Sequence, residues 1–319
     1  MSLALVFPGQ GAQAVGMGRA LFERSAEARR VFETVDAALG APLSTLCFEG
    51  PDADLTLTAN TQPAILAVSV ACLRALEAAV PSLAPSFLAG HSLGEYSALV
   101  ASGSLALEDA SRLLRLRGEA MQAAVPPGEG AMSAIVMLDG ETVRELCGEV
   151  MALLPGRVVQ PANDNAPGQV VVAGHADAVA KVEALAAERR GRGMPLKVSA
   201  PFHCALMEPA ALRLAAALRE VPFGALRVPV VANVDARPNA DASRVAGLLE
   251  AQVLGAVRWR ESVEAMVAAG VTTVIEVGPG KVLSGLIRRI DKRVRTLQVS
   301  DPESLDATVA ALAKESDDV

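Results

Sequence analysis

The chain of 319 residues is 51% hydrophobic and 20% charged, which is typical of a protein with a large folded core. Aromatic residues make up only 3% and the net charge is −7, so we expect neither the stacking platforms that bind single-stranded nucleic acids nor the basic surface that binds duplexes. The four cysteines and three histidines show no metal-ligand spacing, so we expect reduced thiols, no metal and a cytoplasmic location.

Short apolar runs alternate with amphipathic segments along most of the chain. The first run, residues 3–7, has no basic segment before it and predicts a buried strand rather than a signal peptide. No run is expected to be long and apolar enough to cross a membrane. Further strands are predicted at 86–89, 228–233 and 273–277, and most lead through a Gly, Pro or Asn turn into a helix. This alternation predicts an α/β fold with a mostly parallel sheet.

The middle of the chain follows a different order of elements. The pattern there predicts a ferredoxin-like series of strand, helix, strand, strand, helix and strand at 131–138, 141–154, 157–161, 169–173, 176–190 and 195–199. The segment ANDNAPG (162–168) is predicted as the turn between the second and third strands. We therefore expect a small inserted subdomain at 128–198, within a larger α/β domain formed by 1–127 and 199–319.

A candidate nucleophile lies directly after the second predicted strand. Residues 90–94 read Gly-His-Ser-Leu-Gly, a G-x-S-x-G motif between a strand and a helix. The two glycines permit a tight turn that places Ser92 at a helix N-terminus, where free N–H groups favour a negatively charged oxyanion. A chance Gly-Ser turn is the alternative, but the flanking strand and helix favour a nucleophile.

The serine needs a base, and the chain offers three histidines. His91 adjoins Ser92 on a tight turn and is expected to point elsewhere, whereas His175 lies within the predicted small subdomain. His203 lies in a loop after that subdomain and is the candidate by elimination. The alternative for His203 is a structural role at the start of a helix near Ala205.

One arginine falls on the apolar face of a predicted helix. In residues 108–123 the apolar side chains recur every three or four positions, and Arg117 lies at the centre of their stripe. A guanidinium that points inward keeps its charge and needs an anionic partner. That partner is either an internal carboxylate or a ligand carboxylate, and a nearby nucleophilic serine favours an acyl substrate with a free carboxylate.

Several motifs appear in a fixed order along the chain: FPGQGAQ (7–13), TQPA (61–64), GHSLGEYSAL (90–99), RLRGEAMQ (115–122), APFHCALM (200–207) and EVGPGKVLSGL (276–286). In this order and spacing they resemble the malonyl-CoA:acyl carrier protein transacylase family, which is related to the acyltransferase domains of polyketide and fatty acid synthases. The resemblance implies a hydrolase-like α/β domain with an inserted ferredoxin-like subdomain. It also implies transfer of malonyl from malonyl-CoA to the phosphopantetheine thiol of an acyl carrier protein, without a cofactor. This transfer would serve fatty acid synthesis, polyketide synthesis or a malonate decarboxylase.

The resemblance implies roles for individual catalytic residues. Ser92 would carry the malonyl group, and His203 would act as its base and later as an acid. The backbone carbonyl of Gln252 would orient the imidazole in place of an aspartate. The backbone N–H groups of Gln10 and Leu93 would form the oxyanion hole.

Residues for substrate binding are implied in the same way. Arg117 would pair with the malonyl carboxylate, and Gln62 and Asn163 would line the pocket. Stand-alone bacterial members often carry a serine before the catalytic histidine, whereas this chain carries Phe202. Malonyl-selective polyketide domains have a similar residue at that position. The bulky ring of Phe202, together with Leu93 after the nucleophile, favours malonyl over methylmalonyl.

Two basic clusters are candidate docking surfaces for an acidic carrier protein, although such clusters are also typical of a solvated charged face. The first cluster comprises Arg189, Arg190, Arg192 and Lys197, and the second comprises Arg288, Arg289, Lys292, Arg293 and Arg295. We expect the enzyme to be a monomer.

Two rival functions remain open at this point. A serine hydrolase of the esterase type would use an acidic residue between the serine and the histidine, and Asp164 and Asp177 lie in that interval. A non-catalytic scaffold subunit is the second rival, and the combination of Ser92, His203 and Arg117 argues against it.

Overall fold

The computed structural model describes residues 2–198 and 200–317, with side chains to residue 314. Its strands are Leu3–Phe7 (β1), Phe87–Gly90 (β2), Gly130–Val136 (β3), Val159–Ala166 (β4), Gln169–His175 (β5), Arg192–Pro195 (β6), Val230–Val231 (β7), Pro238–Asn239 (β8), Thr273–Val277 (β9) and Arg295–Val299 (β10).

The α-helices are Arg19–Arg24 (α1), Ala26–Leu39 (α2), Leu43–Glu49 (α3), Asp52–Thr56 (α4), Thr58–Ala79 (α5), Gly94–Ser102 (α6), Leu107–Ala123 (α7), Gly140–Leu153 (α8), Ala176–Glu188 (α9), Glu208–Glu220 (α10), Val245–Leu254 (α11), Trp259–Ala268 (α12), Val282–Ile290 (α13) and Pro302–Asp317 (α14). Short 3₁₀ helices lie at Ala205–Met207 and Ala242–Arg244.

The larger sheet has six strands in the order β10-β9-β1-β2-β7-β8. The strands from β10 to β7 are parallel, and only the short edge strand β8 runs antiparallel to its neighbour. Every residue of β1 is buried, because helices cover both faces of a parallel sheet and leave no solvent-exposed side. The structure thus confirms the predicted α/β fold with a mostly parallel sheet.

The smaller sheet is antiparallel, with four strands in the order β4-β5-β3-β6. The helices α8 and α9 pack on it around a separate apolar core that includes Ile135, Leu146, Val172 and Val182. The predicted series of strand, helix, strand, strand, helix and strand is confirmed. The subdomain boundaries at 128 and 198 stay a prediction.

The last strand of the small sheet was predicted in the wrong place. The expected strand was 195–199, whereas β6 is Arg192–Pro195 and pairs with β3 from Ser133 to Val136. An edge strand with solvent on its outer side tolerates arginine, glycine and proline, so the composition that favoured a turn does not prevent pairing. The predicted strand's final residue, Ser199, lies outside the described residues.

The segment 162–168 was also predicted wrongly as a turn throughout. Its first five residues belong to β4, and the turn consists of Pro167 and Gly168. β-Bulges interrupt the pairing with β5, and on the other side the Asp164 N–H donates to Val257 O at 2.9 Å. Hydrogen bonds on both edges therefore override the turn preference of asparagine and aspartate. The predicted strand 228–233 is likewise shorter, because only Val230–Val231 pairs.

The expectation that no run could cross a membrane was wrong on length and composition. The 22-residue helix α5 is long and apolar enough to pass that test. However, 78% of its apolar window is buried inside the protein, among the side chains of the large core. A central core helix has this composition because it is covered on all sides.

Candidate active site

Three candidate site segments follow three neighbouring parallel strands and lie at one edge of the larger sheet. Gln10 follows β1, Ser92 follows β2, and Asn233 follows β7. Because parallel strands end at the same edge, their following loops meet there. Asn233 Oδ1 accepts from the Ser92 N–H at 2.8 Å, and its Nδ2 donates to Gly90 O at 2.7 Å.

The turn at Ser92 is tight and strained. Ser92 has a φ of 52°, in the left-handed region that most side chains avoid. A Cβ on Gly90 would lie 1.9 Å from the carbonyl carbon of Gly94, and a Cβ on Gly94 would lie 2.3 Å from Phe7 O. Both glycines are therefore required by close backbone approach, and α6 begins directly after the turn.

The base predicted by elimination lies against the serine. His203 Nε2 is 2.7 Å from Ser92 Oγ, and His203 Nδ1 is 2.8 Å from the backbone oxygen of Gln252. A carbonyl can only accept a hydrogen bond, so Nδ1 carries the proton and Nε2 presents a lone pair to the serine.

The other candidates for the base and the acid have different partners. His91 Nε2 is 2.8 Å from Asn165 Oδ1, and His175 Nδ1 accepts from the Val158 N–H at 2.9 Å. Asp164 pairs with Arg260 at 2.9 Å and Asp177 pairs with Arg157 at 2.8 Å, so neither carboxylate orients His203. The acid-dependent triad of an esterase is not assembled from these residues.

The environment of His203 keeps its imidazole neutral. The side chain is 3% exposed, and burial lowers the pKa of His203 to about 3, with a further contribution from the positive charge of Arg117. The hydrogen bond to Gln252 opposes this shift but does not overcome it. A neutral imidazole can accept the serine proton at and well below neutral pH.

This environment predicts the pH dependence of Ser92 acylation. An ordinary histidine would be mostly protonated below pH ~6.5 and the rate would then fall about tenfold per pH unit. Because the pKa of His203 is lowered to about 3, we expect no such fall between pH ~7.5 and ~5.5. The measurement is the acylation rate at subsaturating acyl-CoA, with circular dichroism as a control for folding. A decline centred near pH ~6.5 would contradict the proposed environment of His203.

Arg117 points into the site from α7 and is 2% exposed. Its Nη1 donates to Gln62 Oε1 at 2.7 Å, and its Nη2 donates to Ser92 Oγ at 3.1 Å and Gln252 Oε1 at 2.9 Å. Among residues 2–198 and 200–314, no carboxylate oxygen lies within 4.0 Å of the guanidinium, and its Nε has no hydrogen-bond partner. A buried guanidinium without a protein carboxylate suits a ligand carboxylate.

These groups share one cavity of about 410 Å³. The predicted site residues Gln10, Gln62, Ser92, Leu93, Arg117, Asn163, Phe202 and His203 all line it. Asn163 reaches it from β4 of the small sheet, so the cavity lies between the two sheets. Gln252 contacts the same groups from behind and is 0% exposed.

Sequence reasoning missed Glu95 and Asn233. Glu95 Oε2 accepts from the Asn233 N–H at 3.0 Å and from Gln252 Nε2 at 2.9 Å, and its side chain is 3% exposed. A usable signal was present, because Glu95 is the one charged residue in the otherwise uncharged α6. Asn233 follows a buried strand at the edge where the site forms, which is a second usable signal.

Within the described part of the chain, no group of three or more histidine, cysteine, aspartate and glutamate side chains could hold a metal ion. All four cysteines are free and buried. Burial raises the pKa of the Cys204 thiol, next to the candidate base, to about 11, so this thiol is not a competing nucleophile near neutral pH.

Known proteins are similar in sequence to this chain along nearly its full length. A model of the acyl transferase domain family matches residues 4–316. The malonyl CoA-acyl carrier protein transacylase of Bacillus subtilis is 45% identical over 99% of this chain and 98% of its own.

Solved structures agree with this match. The acyl-carrier-protein S-malonyltransferase of Bartonella henselae has 48% identity and a TM-score of 0.93, covering 98% of this chain and 100% of its own. A malonyl-transacylase in complex with its type II PKS acyl-carrier protein has 42% identity and a TM-score of 0.92, again covering 98% and 100%. The chain therefore belongs to the acyl transferase family, among relatives that are malonyl CoA-acyl carrier protein transacylases.

Proposed function

We propose that the protein transfers a malonyl group from malonyl-CoA to the phosphopantetheine thiol of an acyl carrier protein, through a malonyl ester on Ser92. The observation that supports this most is the position of Ser92 Oγ, 2.7 Å from His203 Nε2 and 3.1 Å from Arg117 Nη2. The neutral base and the carboxylate anchor therefore both contact the nucleophilic oxygen of Ser92. In malonyl a single methylene group separates the free carboxylate from the reacting carbonyl. This spacing matches the short distance between Arg117 Nη2 and Ser92 Oγ.

Acylation begins when the malonyl carboxylate pairs with the Arg117 guanidinium. His203 Nε2 takes the proton from Ser92 as Oγ attacks the thioester carbonyl carbon. We propose that the oxyanion accepts hydrogen bonds from the backbone N–H groups of Gln10 and Leu93, near the N-terminus of α6. The tetrahedral intermediate collapses, the C–S bond breaks, and CoA leaves with the proton from His203.

Deacylation repeats these steps with a different thiol. His203 removes the proton from the phosphopantetheine thiol, and the sulfur attacks the ester carbonyl of malonyl-Ser92. Collapse of this second intermediate breaks the C–O bond and returns the proton to Ser92. One thioester is replaced by another, so the proposed reaction is reversible and requires neither redox chemistry nor a cofactor.

This scheme is tested by initial-rate kinetics with malonyl-CoA and phosphopantetheinylated carrier varied together. Because CoA leaves before the carrier reacts, we expect parallel double-reciprocal lines, the ping-pong pattern. Malonyl exchange between labelled CoA and malonyl-CoA, measured without carrier, provides the matching control. Intersecting lines with no exchange would contradict a malonyl-Ser92 intermediate.

Phe202 is the proposed determinant of malonyl selectivity. Its ring lines the cavity beside His203 and is 8% exposed. An additional methyl group on the substrate would need the space that this ring occupies. We expect Phe202→Ser to raise the ratio of methylmalonyl to malonyl loading about tenfold, and Phe202→Leu, which keeps most of the bulk, to raise it less. The measurement is competitive loading read by intact mass, and an unchanged ratio in both variants would exclude Phe202 from selectivity.

The first basic cluster is the proposed docking surface for the carrier protein. Lys197 is exposed and lines the cavity that contains Ser92, and Arg192 is exposed nearby on β6. Both clusters contain paired arginines: Arg189 of the first pairs with Glu149 at 2.9 Å, and Arg293 of the second pairs with Asp291 at 2.6 Å. Positive charge at the cavity itself favours the first cluster for an acidic partner that must insert its phosphopantetheine arm.

A further inference from the structure

Gln252 joins the candidate nucleophile and the carboxylate anchor through its side chain, and the base through its backbone. Its Oε1 accepts from Arg117 Nη2 at 2.9 Å, while its Nε2 donates to Ser92 O at 3.0 Å and Glu95 Oε2 at 2.9 Å. Its backbone oxygen accepts from His203 Nδ1 at 2.8 Å. The side chain of Gln252 therefore fixes the anchor, and its backbone oxygen fixes the base.

The amide of Gln252 has a required orientation. If it were turned over, its NH₂ group would face the Arg117 guanidinium and its oxygen would face the oxygens of Ser92 and Glu95. Donor would then meet donor and acceptor would meet acceptor around a fully buried residue, where no water satisfies the unpaired groups. The carboxyl group of Glu95 is the ionisable acceptor that holds the Nε2 end.

Glu95 also ties together three segments that form the site. It lies in the first turn of α6, and besides Gln252 it accepts from the backbone N–H of Asn233 at 3.0 Å. Asn233 in turn accepts from the Ser92 N–H at 2.8 Å. Burial of a carboxyl group is unfavourable unless it is hydrogen-bonded, and here both bonds lead to residues that contact Ser92.

We propose that Glu95 is a positioning residue for malonyl loading: through the side-chain amide of Gln252 it holds the anchor Arg117 in place beside Ser92. This inference rests on the proposed malonyl transfer. Glu95 does not line the cavity, so it acts on the substrate through Gln252 and Arg117.

The acceptor role does not require a full negative charge. Burial raises the pKa of the Glu95 carboxyl to about 7, while the positive charge of Arg117 lowers it and the negative charge of Asp235 raises it further. A protonated carboxyl still presents a carbonyl oxygen, so glutamine at this position retains both the reach and the acceptor. Aspartate retains the charge but is one carbon shorter, and it cannot reach Gln252 and the Asn233 N–H without movement of the backbone.

Two conservative variants distinguish the need for a correctly placed acceptor at position 95 from the need for a negative charge there. We expect E95Q to load malonyl onto Ser92 about tenfold faster than E95D, and E95D to lose preference for malonyl over acetyl because Arg117 is no longer fixed. The measurement is single-turnover loading with malonyl-CoA and with acetyl-CoA, read by intact mass, after melting curves show that both variants are folded. The reverse order, with E95D faster than E95Q, would overturn the proposal and indicate that Glu95 acts as a simple counter-charge.

A double-mutant cycle tests the route through Gln252. Q252A removes the amide but keeps the backbone carbonyl that contacts His203. If Glu95 acts through that amide, E95D should cost about tenfold in the otherwise native enzyme and less than about twofold in the Q252A background. Equal costs in both backgrounds would overturn the inference. Failure of the unaltered enzyme to form a malonyl adduct would instead contradict the proposed function.

Discussion

Replacement of Ser92 with alanine is expected to abolish the malonyl adduct of the enzyme. Among the described residues that line the cavity, Ser92 is the one whose hydroxyl lies within hydrogen-bond distance of a histidine base, with Oγ 2.7 Å from His203 Nε2. Alanine at this position adopts a φ of 52° at a cost similar to that of serine, so the turn and the cavity should remain intact. The measurement is intact mass after incubation with malonyl-CoA, which should show only unmodified protein.

A matched control is available in Ser104. Its side chain is 2% exposed and its hydroxyl has no hydrogen-bond partner among the described residues. Ser104→Ala should therefore keep the adduct, which separates loss of the nucleophile from the general loss of a buried hydroxyl. A stable malonyl adduct on the Ser92→Ala protein would place the acyl group on another residue and contradict the proposed chemistry.

Replacement of Arg117 with alanine is expected to slow malonyl loading by about 10²–10³-fold, because the substrate carboxylate would be buried without its cation. Acetyl-CoA has no such carboxylate, so acetyl loading should fall by less than about tenfold, through the lost contact with Ser92 Oγ. The ratio of the two loading rates is the decisive measurement.

Arg117→Lys tests whether charge alone is enough. A lysine ammonium is a point charge, and it cannot reproduce the fork that contacts Gln62, Ser92 and Gln252 together. We expect this variant to recover little of the malonyl preference. Equal losses of malonyl and acetyl loading in both variants would show that Arg117 supports the fold and does not recognise the carboxylate.

Strong local patterns allowed most of the fold to be predicted. The run at β1 is entirely apolar and that at β9 is mostly apolar, with Thr273 and Glu276 as its polar members, because both faces of a parallel sheet are covered. The predicted bounds of both strands are those observed. The strand β6 was predicted in the wrong place because its stability comes from pairing with β3, which its own glycine and arginine residues do not reveal. The polar segment of β4 was missed for the same reason, since its partner Val257 is distant in sequence.

In the candidate site as well, features with a local sequence signal could be predicted, and contacts between distant segments carry no such signal. Arg117 could be placed at a buried position from helical periodicity, and Ser92 from the glycines around it, because both signals are local. The meeting of Ser92 with His203, 111 residues apart, depends on the three-dimensional arrangement of the sheets. Glu95 was overlooked although it is a charged residue in an apolar helix, which is the same signal that identified Arg117.

The fate of the malonyl enzyme tests the account most directly. The adduct is isolated free of CoA and divided among buffer, carrier lacking phosphopantetheine, and phosphopantetheinylated carrier, and the intact masses of both proteins are followed with time. We predict that the adduct persists in the first two samples and that malonyl moves to the carrier in the third. Release of malonate at the same rate in all three samples would contradict the account and identify the enzyme as a hydrolase.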